Sequence, residues 1–413
     1  MQLVNPLNKT VTFCAFILSA VISFLPEYVQ ETYWIWIMIF LALFLALLIS
    51  DRECRDRLFR SRDWPLWLLL AGLLSGIVSA TDRTAAWHTY AHIAAAFFLL
   101  FYIGKGLFSS ATRRVRTVYF ICFSASIVII IAMLELYFRR NILYENFIPD
   151  FFYRRYASSR LMSTQANPVI LGSYLIATLP FSFCLWKQKP YYLRLWGICL
   201  TALSLGIILL TFSRGVFLGT IGLLMAYILL MGRKWFVLVL ISMVVLFSLL
   251  CSNSSNSNIQ RYGPERLVVG SFDSIISPYR LERVGMTQKI MKTYPLFGIG
   301  FQHFRIRFNE YCPPEKVSTD FEFKIPDNMY LTFLAETGLV GTLAFIIFIF
   351  TILRRTLARL YETGSEEHRQ ILVILACALI GLLVNMGAYE MFYWQNPLML
   401  FSLICGFTAG MES

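Results

Sequence analysis

Three short stretches carry the side chains best placed to do chemistry. In Thr211-Phe212-Ser213-Arg214-Gly215 a lone arginine stands between two apolar runs. That position holds a guanidinium near membrane depth, which is costly unless a fixed anion or carboxylate receives it. Arg214 therefore reads as a ligand-binding residue, with snorkelling to the interface as the alternative. The stretch Ser277-Pro278-Tyr279-Arg280-Leu281-Glu282-Arg283 offers an N-cap serine and a first-turn proline, and its spacing predicts a helix through Lys292 that Tyr294-Pro295 stops. Arg280 falls in the first turn, where the helix dipole disfavours a cation. A phosphate seated against both would account for it, and so would a pair with Glu282 or another acid. In Pro326-Asp327-Asn328-Met329-Tyr330-Leu331 the chain enters another apolar run. Asp327 there is either a general base at the rim or the N-cap of the helix. Glu336, two turns deeper, is an intramembrane carboxylate.

The elements that must position these residues are set by composition. The 413 residues are 58% hydrophobic and 15% charged, too few charges to build a water-facing surface. Apolar blocks long enough to cross a bilayer recur along the chain, predicting an all-α polytopic membrane protein of about twelve transmembrane helices. These begin near residues 10, 31, 64, 87, 117, 169, 195, 216, 235, 333, 371 and 396. The first reads as an anchor rather than a cleaved signal, since no small-residue cleavage site follows it. Secreted disulfide scaffolds, nucleic-acid-binding domains and most soluble dinucleotide or metal enzymes are excluded, despite a net charge of +12. Most of the nine cysteines lie in apolar blocks without metal-ligand spacing. His88 and His92 share a helical face but lack a third ligand nearby, and read as packing groups. Neither internal repeats nor paired broken helices mark a secondary carrier.

Placing both termini in the cytoplasm puts more than half of the 36 basic residues on that side, as the positive-inside rule requires. Two outer segments are then too long to be turns, 138–168 and 252–328. The second forms a loop subdomain inserted between helices 9 and 10 of a single transmembrane domain spanning 1–413. Both are rich in arginine, including Arg139, Arg140, Arg154, Arg155 and Arg160 in the first, and Arg261, Arg266, Arg280, Arg283, Arg305 and Arg307 in the second. An anionic partner would explain such clusters, as would pairs with Glu145, Asp150, Glu265, Asp273 and Glu282 or with lipid headgroups.

Four segments in order resemble the signatures of the O-antigen ligase and polymerase superfamily. They are Arg160 to Pro168, Ser213-Arg214-Gly215, Tyr294-Pro295-Leu296-Phe297-Gly298-Ile299-Gly300, and Asp327-Asn328-Met329-Tyr330-Leu331 with Ala335-Glu336-Thr337-Gly338-Leu339-Val340-Gly341. The resemblance covers roughly residues 117 to 410. It implies a GT-C-like glycosyltransferase of the bacterial inner membrane, without metal or other cofactor, with its active site at the periplasmic face and no nucleic-acid partner. Such enzymes pass a glycan from undecaprenyl diphosphate to lipid A-core, as ligases, or to a second lipid-linked glycan, as polymerases. A polyprenyl-linked glycan flippase is the alternative from another class.

By motif position the diphosphate-binding arginines of the ligases correspond to Arg214 and Arg280, with Arg160 as a helper, and the position of the ligase histidine is held by Asp327. An aspartate there leans towards polymerase, while length and the single dominant loop lean towards ligase. In the mechanism so implied, Asp327 takes the acceptor proton across a cavity from the arginines, and Asn328 and Tyr330 position the sugar or the loop. Glu390 is a further candidate for an acceptor contact. Outer aromatic residues, among them Trp87, Tyr153, Tyr156, Tyr279, Phe301, Phe304, Tyr389, Phe392, Tyr393 and Trp394, could stack on sugars or form an interfacial belt. Whether Cys312 pairs with Cys251 is open from sequence.

Overall fold

The computed structural model describes residues 17, 33–50, 61–138, 140–141, 160–165, 167–232, 241, 278–313 and 324–411. Among them every regular element is helical: α1 (Tyr33–Ser50), α2 (Trp64–Leu73), α3 (Ser75–Val78), α4 (Arg83–Phe108), α5 (Ala111–Phe138), α6 (Pro168–Leu185), α7 (Tyr191–Leu210), α8 (Arg214–Met231), α9 (Pro278–Thr293), α10 (His303–Ile306), α11 (Phe308–Tyr311), α12 (Met329–Glu362), α13 (Glu366–Met386) and α14 (Gln395–Gly410). Seven of them, α4 to α8 with α12 and α13, are long and apolar enough to cross a membrane by length and composition. The spans expected near residues 10 and 235, the stretch 142–159 and much of the loop 252–328 lie outside the described residues, as does Cys251. Cys312 is a buried free thiol.

Helix starts follow the local chemistry. Asn167 caps α6 ahead of Pro168, its Oδ1 accepting from Val169 N at 2.8 Å. Asp82 caps α4, accepting from Ala85 N at 3.0 Å. Ser365 caps α13, whose first turn carries Glu366 and Glu367, acids that suit the positive end of the helix dipole. Helix α9 begins at the expected proline and ends at Thr293, one residue before Tyr294-Pro295.

The centre of the bundle is α14, buried along its entire length. It lies so close to α4 that a Cβ on Gly406 would fall 2.2 Å from the Phe101 carbonyl oxygen. Small residues let helix backbones approach where both faces are apolar. The end of the bundle far from Arg214 collects basic residues in fixed partnerships. Lys105 Nζ donates to both Asp63 oxygens at 2.8 and 2.7 Å, Lys187 pairs with Glu366 at 2.6 Å, and Arg355 donates to Arg62 O at 2.7 Å.

The tenth expected span is not one uninterrupted helix. Within α12, Gly338 has φ 63° and ψ −162°, a conformation open essentially to glycine alone. There the segment 294–300 is spliced into the helix. The carbonyls of Ala335 and Glu336 accept from Ile299 N at 2.9 Å and Gly300 N at 3.0 Å, while Leu339 N and Val340 N donate to Pro295 O at 3.0 Å and Leu296 O at 3.1 Å. The four backbone groups freed by the break are all satisfied, as burial demands. A Cβ on Gly338 would fall 2.4 Å from Leu296 O, and one on Gly298, itself at φ 67°, would fall 2.5 Å from the carbonyl carbon of Glu336. Beyond the splice, Phe301 N donates to Gly76 O at 2.9 Å. His303 accepts from Asp82 N at Nε2 (2.9 Å), so its proton sits on Nδ1, 2.7 Å from Phe301 O. The loop that leaves the bundle through α9 is thereby sewn back into it.

Candidate functional site

The turn Gly387–Ala388, after α13, gathers the expected site residues. Arg214 opens α8 directly after Ser213, and a Cβ on Gly215 would fall 2.3 Å from Ala388 Cβ. Only glycine lets the start of α8, and with it Arg214, lie against this turn. Arg280, in the first turn of α9, donates from Nη2 to Ala388 O at 3.4 Å. The same nitrogen lies 3.5 Å from Asp327 Oδ2, and both side chains are about a third exposed (36% and 35%). Asn328 donates from Nδ2 to Gly387 O at 3.0 Å, and Tyr330 donates to Leu383 O at 2.7 Å.

The cap of α12 is Asn328, whose Oδ1 accepts from Tyr330 N at 2.9 Å and Leu331 N at 3.2 Å. Asp327, at φ 54°, stands just outside the helix. Arg160 lies beneath the turn that precedes Arg214, 5% exposed, with Nε donating to Thr211 O at 2.8 Å.

Behind this rim sits a second charged layer. Glu390 is 2% exposed and pairs with Arg305 at 2.7 Å. Its other oxygen lies 3.3 Å from Thr332 Oγ1, a hydroxyl that also donates to Asn328 O at 2.9 Å. Burial pushes the Glu390 carboxyl up, Arg305 pulls it back, and Asp327 pushes it up further. Deeper still, Tyr393 donates to Glu336, whose other oxygen accepts from Phe304 N at 3.1 Å. Burial and the neighbouring carboxylate hold the Tyr393 phenol well above its ordinary range, so it remains a donor.

Several sequence expectations need adjusting. Asp327 was expected across a cavity from the arginines, yet it contacts Arg280, because α9 folds back over the mouth of α12. For two loop arginines the structure supplies acids that sequence spacing did not suggest, Asp327 for Arg280 and Glu390 for Arg305, whereas Arg307 meets Glu310, three residues on, at 2.7 Å. Arg283 lies 3.6 Å from Glu282, with its guanidinium 4.3 Å from the Phe308 ring centroid. Phe301, Phe304, Tyr389 and Phe392 belong to the core, whereas Trp87 is exposed. Tyr153, Tyr156 and the remaining arginines of both loops, apart from Arg140 and Arg160, lie outside the described residues. Sequence reading placed Arg305 in the loop cluster without its partner and passed over Thr332; a polar residue four positions after the Asn328 cap, on the same helix face, was the available signal. Among the described residues no three His, Cys, Asp or Glu side chains converge as a metal site.

Residues 199–346 match the family described as O-antigen ligase. That stretch includes Arg214, Arg280, Asp327, Asn328 and Tyr330, follows Arg160 and stops short of Glu390. No curated protein matches the chain.

Proposed function

For a multi-pass membrane protein whose residues 199–346 fall in the O-antigen ligase and polymerase superfamily, we propose a membrane glycosyltransferase. It moves a glycan from undecaprenyl diphosphate to an acceptor sugar at the periplasmic face of the bacterial inner membrane, as a ligase with lipid A-core as acceptor. Both termini are cytoplasmic in this reading. The observation that carries it is the convergence on Gly387–Ala388 of Arg214, Arg280 and the Asp327–Asn328 pair, which come from three separate segments.

Arg214 and Arg280 bind the diphosphate, with Arg160 adding positive charge beneath the Thr211 turn. Charge-assisted contacts of about 1.5–3 kcal/mol each stabilise the negative charge that grows on the leaving group. The diphosphate departs without protonation. Asp327 takes the proton of the acceptor hydroxyl as that oxygen attacks the anomeric carbon in line, inverting it, so the base and the diphosphate stand on opposite sides of the sugar. The Arg280–Asp327 contact must therefore part. At 3.5 Å and a third exposed, such a pair is worth about 0.2–1 kcal/mol, less than one contact with the diphosphate returns. Asn328 and Tyr330 hold the Gly387–Ala388 turn, and Glu390 supports the site from behind.

Asp327 also favours a second reading, a polymerase joining lipid-linked repeat units, because an Asp-Asn pair replaces the ligase His-Asn. Purified protein with a synthetic undecaprenyl diphosphate-linked repeat unit, alone and with lipid A-core, separates the two. Product that needs core supports the ligase; a ladder without core supports the polymerase. Asp327→Ala should abolish either product. If neither condition consumes the donor, or if the donor is only moved across proteoliposomes unchanged, the transferase reading falls.

A further inference from the structure

The 294–300 segment spliced into α12 carries apolar side chains to the surface. Leu296 is 55% exposed and Phe297 40%. Val78 at the end of α3 and Leu339, Val340 and Leu343 on α12 are exposed as well. Two helices measure how deep this patch lies. At about 1.5 Å per residue, Gly338 stands about 24 Å from Arg354 along α12, and Val78 about 22 Å from Asp63 along the apolar helix Trp64–Val78. Asp63 and Arg354 lie at one charged end of the bundle, where Arg355 donates to Arg62 O. The hydrocarbon core of a bilayer is about 30 Å thick. A bilayer whose edge lies at these charges therefore reaches past Leu296 and Phe297, and any tilt of the helices sets the pair deeper.

Irregular backbone tolerates that depth only when its polar groups are satisfied. Here every carbonyl from Tyr294 to Gly298 meets a donor. Gly298 N donates to Tyr294 O, Leu339 N to Pro295 O and Val340 N to Leu296 O. Ser79 Oγ lies 3.3 Å from Phe297 O and 2.5 Å from Gly298 O. The turn is thus fit to meet acyl chains. One and two helical turns before Leu296, Lys292 and Lys289 are exposed, whereas Met286 and Ile290 are buried. Lys289 Nζ donates to Tyr311 O at 3.2 Å. Lys292, in the last turn of α9, has no partner among the described residues. A phospholipid carries its phosphate just beyond its acyl chains, the same order in which these lysines follow the apolar pair, and an anionic headgroup complements their charge.

We propose that the end of α9 and the turn 294–298 form a docking surface for an anionic phospholipid. Its acyl chains lie against Leu296, Phe297, Leu339 and Val340, and its phosphate meets Lys289 and Lys292. The bound lipid ties α9, which also carries Arg280, to the level of the headgroups. This surface is independent of the transfer chemistry.

The test places the full-length protein in nanodiscs containing phosphatidylglycerol or phosphatidylcholine with a photoreactive group high in one acyl chain, and maps the labelled residues by mass spectrometry. Phosphatidylglycerol should mark 294–298 more heavily than phosphatidylcholine does. In Lys289→Gln with Lys292→Gln that preference should fall by roughly fivefold per lysine, while both lipids still mark the turn, showing that the variant remains folded and inserted. The proposal is overturned if neither lipid labels 294–298, if both label it equally in the wild type, or if the double variant keeps the preference. Lipid A added as competitor separates the other source of phosphate and acyl chains. Displacement of the label at a lower mole fraction than unlabelled phosphatidylglycerol requires would give the surface to the acceptor and overturn the phospholipid assignment.

Discussion

Replacing Gly338 with alanine should expel the 294–300 segment from the bundle. Alanine at φ 63° and ψ −162° costs about 1–3 kcal/mol, and its Cβ would fall 2.4 Å from Leu296 O and 2.6 Å from Gly298 N. The strain is relieved if α12 closes into a continuous helix. Leu339 N and Val340 N then return to Ala335 O and Glu336 O, and alanine gains about 1 kcal/mol over glycine in a helix. The cost passes to the segment. Four bonds break and the closed helix remakes two, a loss of two at about 0.5–1.5 kcal/mol apiece, or roughly 1–3 kcal/mol. Set against the gain from alanine, the net loss is at most about 2 kcal/mol, and it falls on the stretch that carries Arg305 to Glu390. Thermal melting in detergent, limited trypsin digestion at Arg305 and Arg307, and glycan transfer read the three consequences. Lower stability, cleavage at these arginines and reduced transfer are expected together. A Gly338→Ala protein that melts, resists trypsin and transfers like the wild type would refute the splice as the device that holds this layer in place.

Arg280→Ala should reduce kcat/KM for the donor about 10- to 150-fold, the loss of one charge-assisted contact of about 1.5–3 kcal/mol, with Arg280→Lys recovering part of it in a donor titration. Asn328→Ala removes both cap bonds of α12 and the tie to Gly387; a loss of about 0.5–2 kcal/mol from the cap should appear as an earlier midpoint in chemical denaturation, with transfer slowed as well. Because burial raises the Glu390 carboxyl above its ordinary value, the folded state binds its proton more tightly than the unfolded chain. Stability from this group is therefore greatest at low pH and declines as pH rises above the ordinary glutamate range. Melting curves across pH should show a shallower decline for Glu390→Gln than for the wild type.

The site is assembled from segments far apart in sequence, and its two layers depend on different supports. The rim, Arg280 with Asp327, rests on the Gly387–Ala388 turn and exchanges partners at small cost. The inner layer, Glu390 with Arg305 and Glu336 with Tyr393, is set by backbone bonds between the 294–303 segment, α12 and the stretch before α4. The proposed reaction, with a diphosphate leaving and a base held in line, would use both a yielding rim and a firm backing.

Much of this was legible in the chain. Apolar block length specified the helices, since a bilayer admits few alternatives to a helix for an apolar backbone. Pro278 and Tyr294-Pro295 marked the two ends of α9 through local sterics. The isolated positions of Arg214, Arg280 and Asp327 among apolar or dipole-disfavoured surroundings singled them out, because misplaced charge is costly. What the sequence could not decide was partnership. Asp327 against Arg280, Glu390 against Arg305 and the insertion of 294–300 into α12 join residues 36 to 85 positions apart. Nothing local selects Glu390 over Glu282 for an arginine. Likewise, Gly338 reads in sequence only as a weak point in a helix; what fills the break depends on which carbonyls and amides arrive there. Local chemistry acts over a turn or two of chain and was determined by the sequence alone. The choice of long-range partners follows from backbone satisfaction and burial across the whole bundle, and only the tertiary structure decided it.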